Sequence, residues 1–182
     1  MNADGSWSFN PDEEGATADR VNGESSLEGI YNKAFEGWNE SRRIGTVPVL
    51  WDKKHATIVN NESREIIRMF DQFSKEGFGN GVTLCPPELM LDIDNMIEAN
   101  YESVNNGVYK SGFARTQEAY DEAVTALFER LDELETHLDG RDWLVGEDKG
   151  QLTEADICLF TTLVRFDLVY VCLLYTSDAA DE

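Results

Sequence analysis

The sequence predicts an α+β protein that is mostly α: a small β-hairpin-and-helix unit followed by an all-helical domain. Three features predict it. The runs Thr46-Val-Pro-Val-Leu-Trp-Asp52 and Thr57-Ile-Val59 flank a polar turn at Lys53-Lys54-His55, which reads as a hairpin. Gly77, Gly79, Asn80 and Gly81 then interrupt every periodicity. Beyond Cys85-Pro86-Pro87, apolar residues recur three or four apart over long stretches, the mark of amphipathic helices.

Taken in order, residues 1–25 are rich in Gly, Asp, Asn, Ser and Glu around Trp7 and Phe9, and read as a loop. Leu27, Ile30, Tyr31 and Ala34 form a short helix ending near Gly37. Pro48 cannot donate to a strand ladder. Either the first strand is an edge, or the Val47–Pro48 bond is special, with cis as one option. Asn60-Asn61-Glu62-Ser63 supplies polar capping residues for a helix carrying Ile66, Ile67, Met69 and Phe70.

The first helix after the glycine-rich break carries Leu89, Ile93, Met96, Ile97, Tyr101 and Val104 on one face, and stops at Asn105-Asn106-Gly107. The next shows Tyr120, Val124, Leu127, Phe128, Leu131, Leu134 and Leu138, and ends at Asp139-Gly140. Thr153-Glu-Ala-Asp156 is a capping box with Asp in the usual Glu or Gln place, and Leu152 is placed to staple onto Ile157. The helix it opens, through Phe160, Leu163, Val164 and Phe166, is apolar enough to be the central, buried one. Residues 172–182 leave that pattern and resemble a translated sequencing adapter, so they read as a non-native tail. The expected division is 1–72 for the hairpin unit, 73–84 for a linker, 85–171 for the helical domain and 172–182 for the tail.

Composition narrows the function classes. With 41% hydrophobic residues, 182 residues can fill one compact core or two small ones. Thirty-six acids against 15 bases give a net charge of −21, which disfavours nucleic acids and anionic membranes as partners. An anionic substrate therefore needs a local cationic or amide-lined pocket. No apolar run approaches the roughly 20 residues of a bilayer span, and Met1–Asn10 lacks a signal-peptide pattern, so the expected location is the cytoplasm. Cys85, Cys158 and Cys172 have no disulfide-framework spacing. His55 and His137 are far from any cysteine pair, so no metal site is expected.

Residues 47–63, VPVLWDKKHATIVNNES, resemble the third and fourth strands and helix entry of a thioredoxin-like glutathione-binding domain. NNGVYKSGFA at 105–114 and LTEADICLFTTLVRFDLVY at 152–170 resemble the helical domain of glutathionyl-hydroquinone reductases, the Xi-class glutathione transferases. DGSWSFNPDEEGATADRVNG at 4–23 is similar to another segment of that family. The resemblance covers about residues 4–171. It implies a partial thioredoxin-like domain followed by a glutathione-transferase all-helical C-terminal domain.

The resemblance also implies a chemistry. A thiolate in a Cys-Pro-x-x motif attacks the glutathionyl sulfur of a glutathionyl-hydroquinone and releases the hydroquinone; a second glutathione then resolves the enzyme–glutathione disulfide. That motif is absent from this sequence, so no catalytic residue is assigned; Cys85 follows the linker and reads as a structural thiol. Glutathione is the implied co-substrate, with no metal, and glutathionyl-quinols are the implied partners of a parent that is a homodimer. The implied glutathione-binding residues are Trp7, Arg43, Val47, Glu62 and Ser63. Val47 would offer backbone groups to the cysteinyl part, in a short form of strand addition. Glu62 and Ser63 would hold the γ-glutamyl end at a helix N-terminus, Trp7 would contact glutathione, and Arg43 would meet the glycyl carboxylate. Ser6 stands where the family usually has glycine before that tryptophan. Tyr109 matches a tyrosine facing the quinol pocket. Pro48, Thr153 and Asp156 take structural roles, and Arg165 and Asp167 are expected to order the core. The sequence thus reads as a fragment, itself inactive, of a glutathione-dependent reductase. The alternative reading is a non-catalytic glutathione-binding or protein-interaction module.

Overall fold

The computed structural model describes residues 7–38, 45–146, 150–171 and 174. It is mostly helical with one two-stranded antiparallel sheet, the α+β class that the sequence predicts. The chain divides into two compact units, Met1–Phe70 and Asp71–Glu182.

In the first unit, residues 7–9 are pinned along the entry to the first helix. Leu27 N donates to Trp7 O (2.9 Å), Phe9 N donates to Ser25 O (2.9 Å), and Ser8 bridges Ser26 antiparallel. Ser26 has extended backbone and its hydroxyl accepts from Gly29 N (3.3 Å), capping α1 (Leu27–Ala34). Helical spacing then turns Leu27, Ile30 and Tyr31 inward, where they are buried. Strands β1 (Leu50–Asp52) and β2 (Thr57–Asn60) pair with Trp51 opposite Ile58, and α1 lies against β2. Asp52 closes the hairpin by accepting from Lys54 N (2.7 Å), His55 N (3.0 Å) and the His55 ring (2.6 Å). The ladder starts later than the run from Thr46 predicts. Thr46–Val49 lie outside it, and the Val47–Pro48 peptide is cis. Helix α2 (Ser63–Phe73) follows β2 after two residues.

The second unit begins within the last turn of α2. Asp71, 7% exposed, accepts from Leu84 N (2.5 Å), Thr83 Oγ1 (2.9 Å) and Lys75 Nζ (2.9 Å), while Lys75 also donates to Cys85 O (3.0 Å). These bonds fold the glycine-rich stretch back onto the helix end. A kinked π-helical turn, Ser74–Phe78, lies between, with Gly77 at φ 93°. A 3₁₀ turn at Pro87–Leu89 leads into α3 (Met90–Asn100), a π-helical turn (Tyr101–Asn105), α4 (Gly107–Gly112), α5 (Gln117–Leu138) and α6 (Glu154–Leu163). A last π-helical turn spans Phe166–Tyr170.

Two expectations are corrected here. The helix read as regular through Val104 widens at Tyr101, which keeps Val104 in the core and aims Asn105 at α6. Asn105 donates to Cys158 O and Thr162 Oγ1 at 2.9 Å each. The α6 helix is also not wholly buried. It buries Ala155, Leu159 and Thr162 toward α3 and the π-helical turns Tyr101–Asn105 and Phe166–Tyr170, but leaves Phe160 60% and its C-cap Val164 55% exposed. A helix apolar on every side gives no periodicity from which to read the covered face.

The core of this unit gathers Ile93, Ile97, Val104, Val108, Leu127, Leu134, Leu144, Leu159 and Tyr170 with Cys85. Full burial of Ile93 or Leu127 contributes about 1.5–3 kcal/mol each. Thr116 caps α5 through its hydroxyl, which accepts from Ala119 N (3.2 Å). Gly140, at φ 75°, takes the left-handed conformation just past the helix end that residues with a Cβ disfavour.

Candidate functional site

In the first unit the cis-proline loop is held from one side by two polar groups. The Tyr31 hydroxyl donates to Thr46 O (2.9 Å), and Asn61 Nδ2 donates to Thr46 Oγ1 (2.9 Å) and to the Tyr31 hydroxyl (3.1 Å). Gly45 permits this approach, because a Cβ there would stand 2.9 Å from the Tyr31 ring. Val47, next in the chain, is 52% exposed and outside the ladder. The Asn61–Thr46 bond brings this loop beside the start of α2, where Glu62 and Ser63 are exposed. Asn60 Oδ1 accepts from Glu62 N (2.7 Å), and Ile66 N donates to Glu62 O (3.0 Å), so the helix opens at Glu62. First-turn amides and the positive end of the helix dipole favour an anion there. Trp7, 38% exposed, is tied to Leu27 at the start of the same α1 that carries Tyr31. Arg43 lies outside the described residues.

In the second unit Tyr109, 41% exposed on α4, shares a 3.0 Å hydroxyl–hydroxyl bond with Tyr170, which is 1% exposed. The rings meet edge to face at 5.4 Å, and Phe113 stacks on Tyr109 at 6.4 Å. Burial, then the bond to Tyr109, pushes the Tyr170 phenol up to about 12, so it stays protonated at neutral pH. Arg165 sits 5.5 Å from the Tyr170 ring and donates to Thr161 O (2.7 Å). Both Arg165 and Asp167 are exposed, which corrects the expectation that they order the core from inside. The π-helical turn after Arg165 rotates Tyr170, rather than the charges, inward.

The Asp156 carboxylate accepts from Thr153 N, Thr153 Oγ1 and Leu144 N, all at 2.8 Å. It therefore fastens the α6 start to the segment behind α5. Leu152 and Ile157 line one apolar groove with Trp143 and Phe160. Cys85 is 3% exposed in the helical core, and Cys158 is half-buried on α6. Among the described residues no cluster of His, Cys, Asp and Glu could hold a metal ion. No helix among them is long and apolar enough to cross a membrane.

Residues 117–181 match the family model described as glutathione S-transferase, C-terminal domain. The chain is 48% identical over 165 residues to the glutathionyl-hydroquinone reductase PcpF of Sphingobium chlorophenolicum, covering 90% of this chain and 50% of that one. It is 51% identical over 166 residues to the glutathionyl-hydroquinone reductase YqjG of Escherichia coli strain K12, covering 91% and 48%. Over most of its length the chain is similar to glutathionyl-hydroquinone reductases, the Xi-class glutathione transferases. The glutathione-bound structure of YqjG superposes on it with a TM-score of 0.84 at 47% identity, over 94% of this chain and 54% of that one. Glutathione transferase Xi 1 of Trametes versicolor gives 0.82 at 48% identity, over 90% and 55%. The chain spans about half the length of the curated relatives it matches.

Sequence reasoning missed three residues. Tyr31 read only as an apolar helix position, and Asn61 only as one of several capping residues. Tyr170 read as part of a motif without a role of its own. The polar run Asn60-Asn61 directly before a helix was the available signal for Asn61. Nothing in the spacing of Tyr109 and Tyr170, 61 residues apart, announced their pairing.

Proposed function

We propose that this chain carries the glutathione-recognition and quinol-facing parts of a glutathione-dependent reductase of glutathionyl-hydroquinones. The observation that carries the proposal is the exposed Val47 segment, held beside the N-terminus of α2 through Tyr31, Thr46 and Asn61. The exposed Val47 backbone is suited to pair antiparallel with the cysteinyl part of glutathione. Glu62 accepts from the γ-glutamyl ammonium, and the amides after it receive the γ-glutamyl carboxylate. Trp7 is the further member of the cradle among the described residues. That the related YqjG has been solved with glutathione bound supports the reading.

Tyr109 is the quinol-facing group of the second unit. With Tyr170 as the donor in the 3.0 Å hydroxyl pair, the Tyr109 hydrogen is left for a hydroquinone oxygen. In the whole reaction a cysteine thiolate attacks the glutathionyl sulfur, the carbon–sulfur bond breaks, and the hydroquinone carbon takes a proton. A second glutathione thiolate then attacks the mixed disulfide, giving glutathione disulfide and the free thiolate. Neither Cys85 nor Cys158 is proposed as that thiolate, since both sit in the helical unit, Cys85 fully buried.

Calorimetric titration with reduced glutathione tests the cradle. The wild-type chain should bind, and Glu62→Gln should weaken binding about tenfold, the equivalent of about 1.4 kcal/mol for one charge-assisted bond. Equal affinity in the two proteins would overturn the assignment of Glu62. Absence of binding by both would favour the interaction-module reading, for which the exposed Phe160 and Val164 on α6 are the supporting observation.

A further inference from the structure

A groove of about 630 Å³ in the second unit separates α3 from the C-terminal half of α5 and the segment after it. Its floor is apolar: Leu89, Met96, Leu144 and Val145. Its rim carries basic side chains. Every basic side chain between residues 117 and 146, namely Arg130, His137 and Arg141, lines this groove. Every acidic side chain of the same stretch stays off its wall, though Asp92 of α3 contributes one carboxylate. In a chain of net charge −21 that segregation gathers the basic side chains of this stretch on one wall.

The three basic side chains are differently engaged. Arg130 is spent locally: Nε donates to Asn100 Oδ1 (2.9 Å) and Nη1 to Glu133 (2.8 Å). His137 Nε2 donates to Leu144 O (2.8 Å), which fixes the ring in the wall and leaves Nδ1 as its second polar atom. Arg141 is exposed, and its bond is to a neutral acceptor, Gly146 O at 3.3 Å. Its guanidinium fork remains able to meet a carboxylate with two parallel bonds.

From these observations we propose a second ligand site, apart from the glutathione cradle, that takes a small aromatic carboxylate. The ring lies on Met96, Leu144 and Val145, and the carboxylate reaches Arg141, with His137 beside it. Burying an aromatic ring on the apolar floor supplies non-directional affinity, and the guanidinium supplies selectivity for the anion over a neutral isostere.

The test compares 2-naphthoate with its neutral isostere 2-naphthamide on the full chain, by calorimetry and by amide chemical-shift mapping. Naphthoate should bind about tenfold more tightly than naphthamide. Its shift changes should fall on residues 92–99 and 137–146. Arg141→Gln should erase that preference while leaving naphthamide binding and the circular dichroism spectrum unchanged, because Arg141 is exposed and outside the core. Glu62→Gln should leave naphthoate binding untouched, which separates this site from the glutathione reading. Equal affinity for the two probes, a preference that survives Arg141→Gln, or shift changes confined to the apolar groove at Trp143 and Phe160 would each overturn the proposal. Naphthoate failing to bind at millimolar concentration would do the same.

Discussion

Tyr31 and Asn61 hold the carbonyl and the hydroxyl of Thr46, and those bonds decide where the Val47 backbone points. Both side chains act through Thr46, so Asn61→Ala should cost about 1 kcal/mol of stability and weaken glutathione binding several-fold. Denaturant melts and titration calorimetry read the two effects separately, and unchanged affinity would break the link between clamp and ligand. The Tyr109–Tyr170 bond gives a second residue-scale prediction. Tyr170→Phe removes a buried hydroxyl whose partner is exposed and can turn to water, so the loss should be about 0.5–1.5 kcal/mol. The same variant should remove the tyrosine that titrates near pH 12, as followed by ultraviolet absorbance. At this scale the sequence was informative about local chemistry and blind to distant pairing. The cis bond at Pro48 was one of two options its position left open, whereas Tyr170 could be paired with Tyr109 only once the fold was known.

Among the elements, the end of α2 and the start of α6 are fixed by single carboxylates. Burial works to raise Asp71, but Lys75, the Leu84 amide and the Thr83 hydroxyl together hold it below the usual carboxylate range. A folded value below the unfolded one, near 3.9, stabilises the protein above about pH 4. That contribution is lost as the pH falls through the folded value. Asp71→Asn should therefore lower stability at pH 7 by about 1–3 kcal/mol and flatten the acid side of the stability curve, as read by urea melts from pH 3 to 7. Asp156→Ala removes the acceptor for Thr153 and Leu144 and should cost about 1–3 kcal/mol, a fall in Tm visible by calorimetry. Helices with one apolar face, such as α5, were legible from their spacing. The widened turn at Tyr101 was not, because Tyr101 and Val104 satisfy a regular helical pattern equally well.

For the whole molecule, an apolar face on α6 and the turn after it stays uncovered, with Phe160 60% and Leu168 83% exposed. Changing both to Gln should leave the melting free energy within about 0.5 kcal/mol per site and reduce self-association in light scattering. The fold class was legible because a hairpin, a glycine-rich break and long helical periodicities are each local signals. Which face of α6 is covered depends on what packs there, and no local signal carries that. We propose that the first unit recognises glutathione through Val47, Glu62, Ser63 and Trp7. Amide chemical-shift mapping with reduced glutathione tests it most directly. Saturable shifts centred on Val47, Glu62, Ser63 and Trp7, diminished by Asn61→Ala, are the expected result. Shifts centred on the helical unit, or none in the first unit at saturating glutathione, would contradict it.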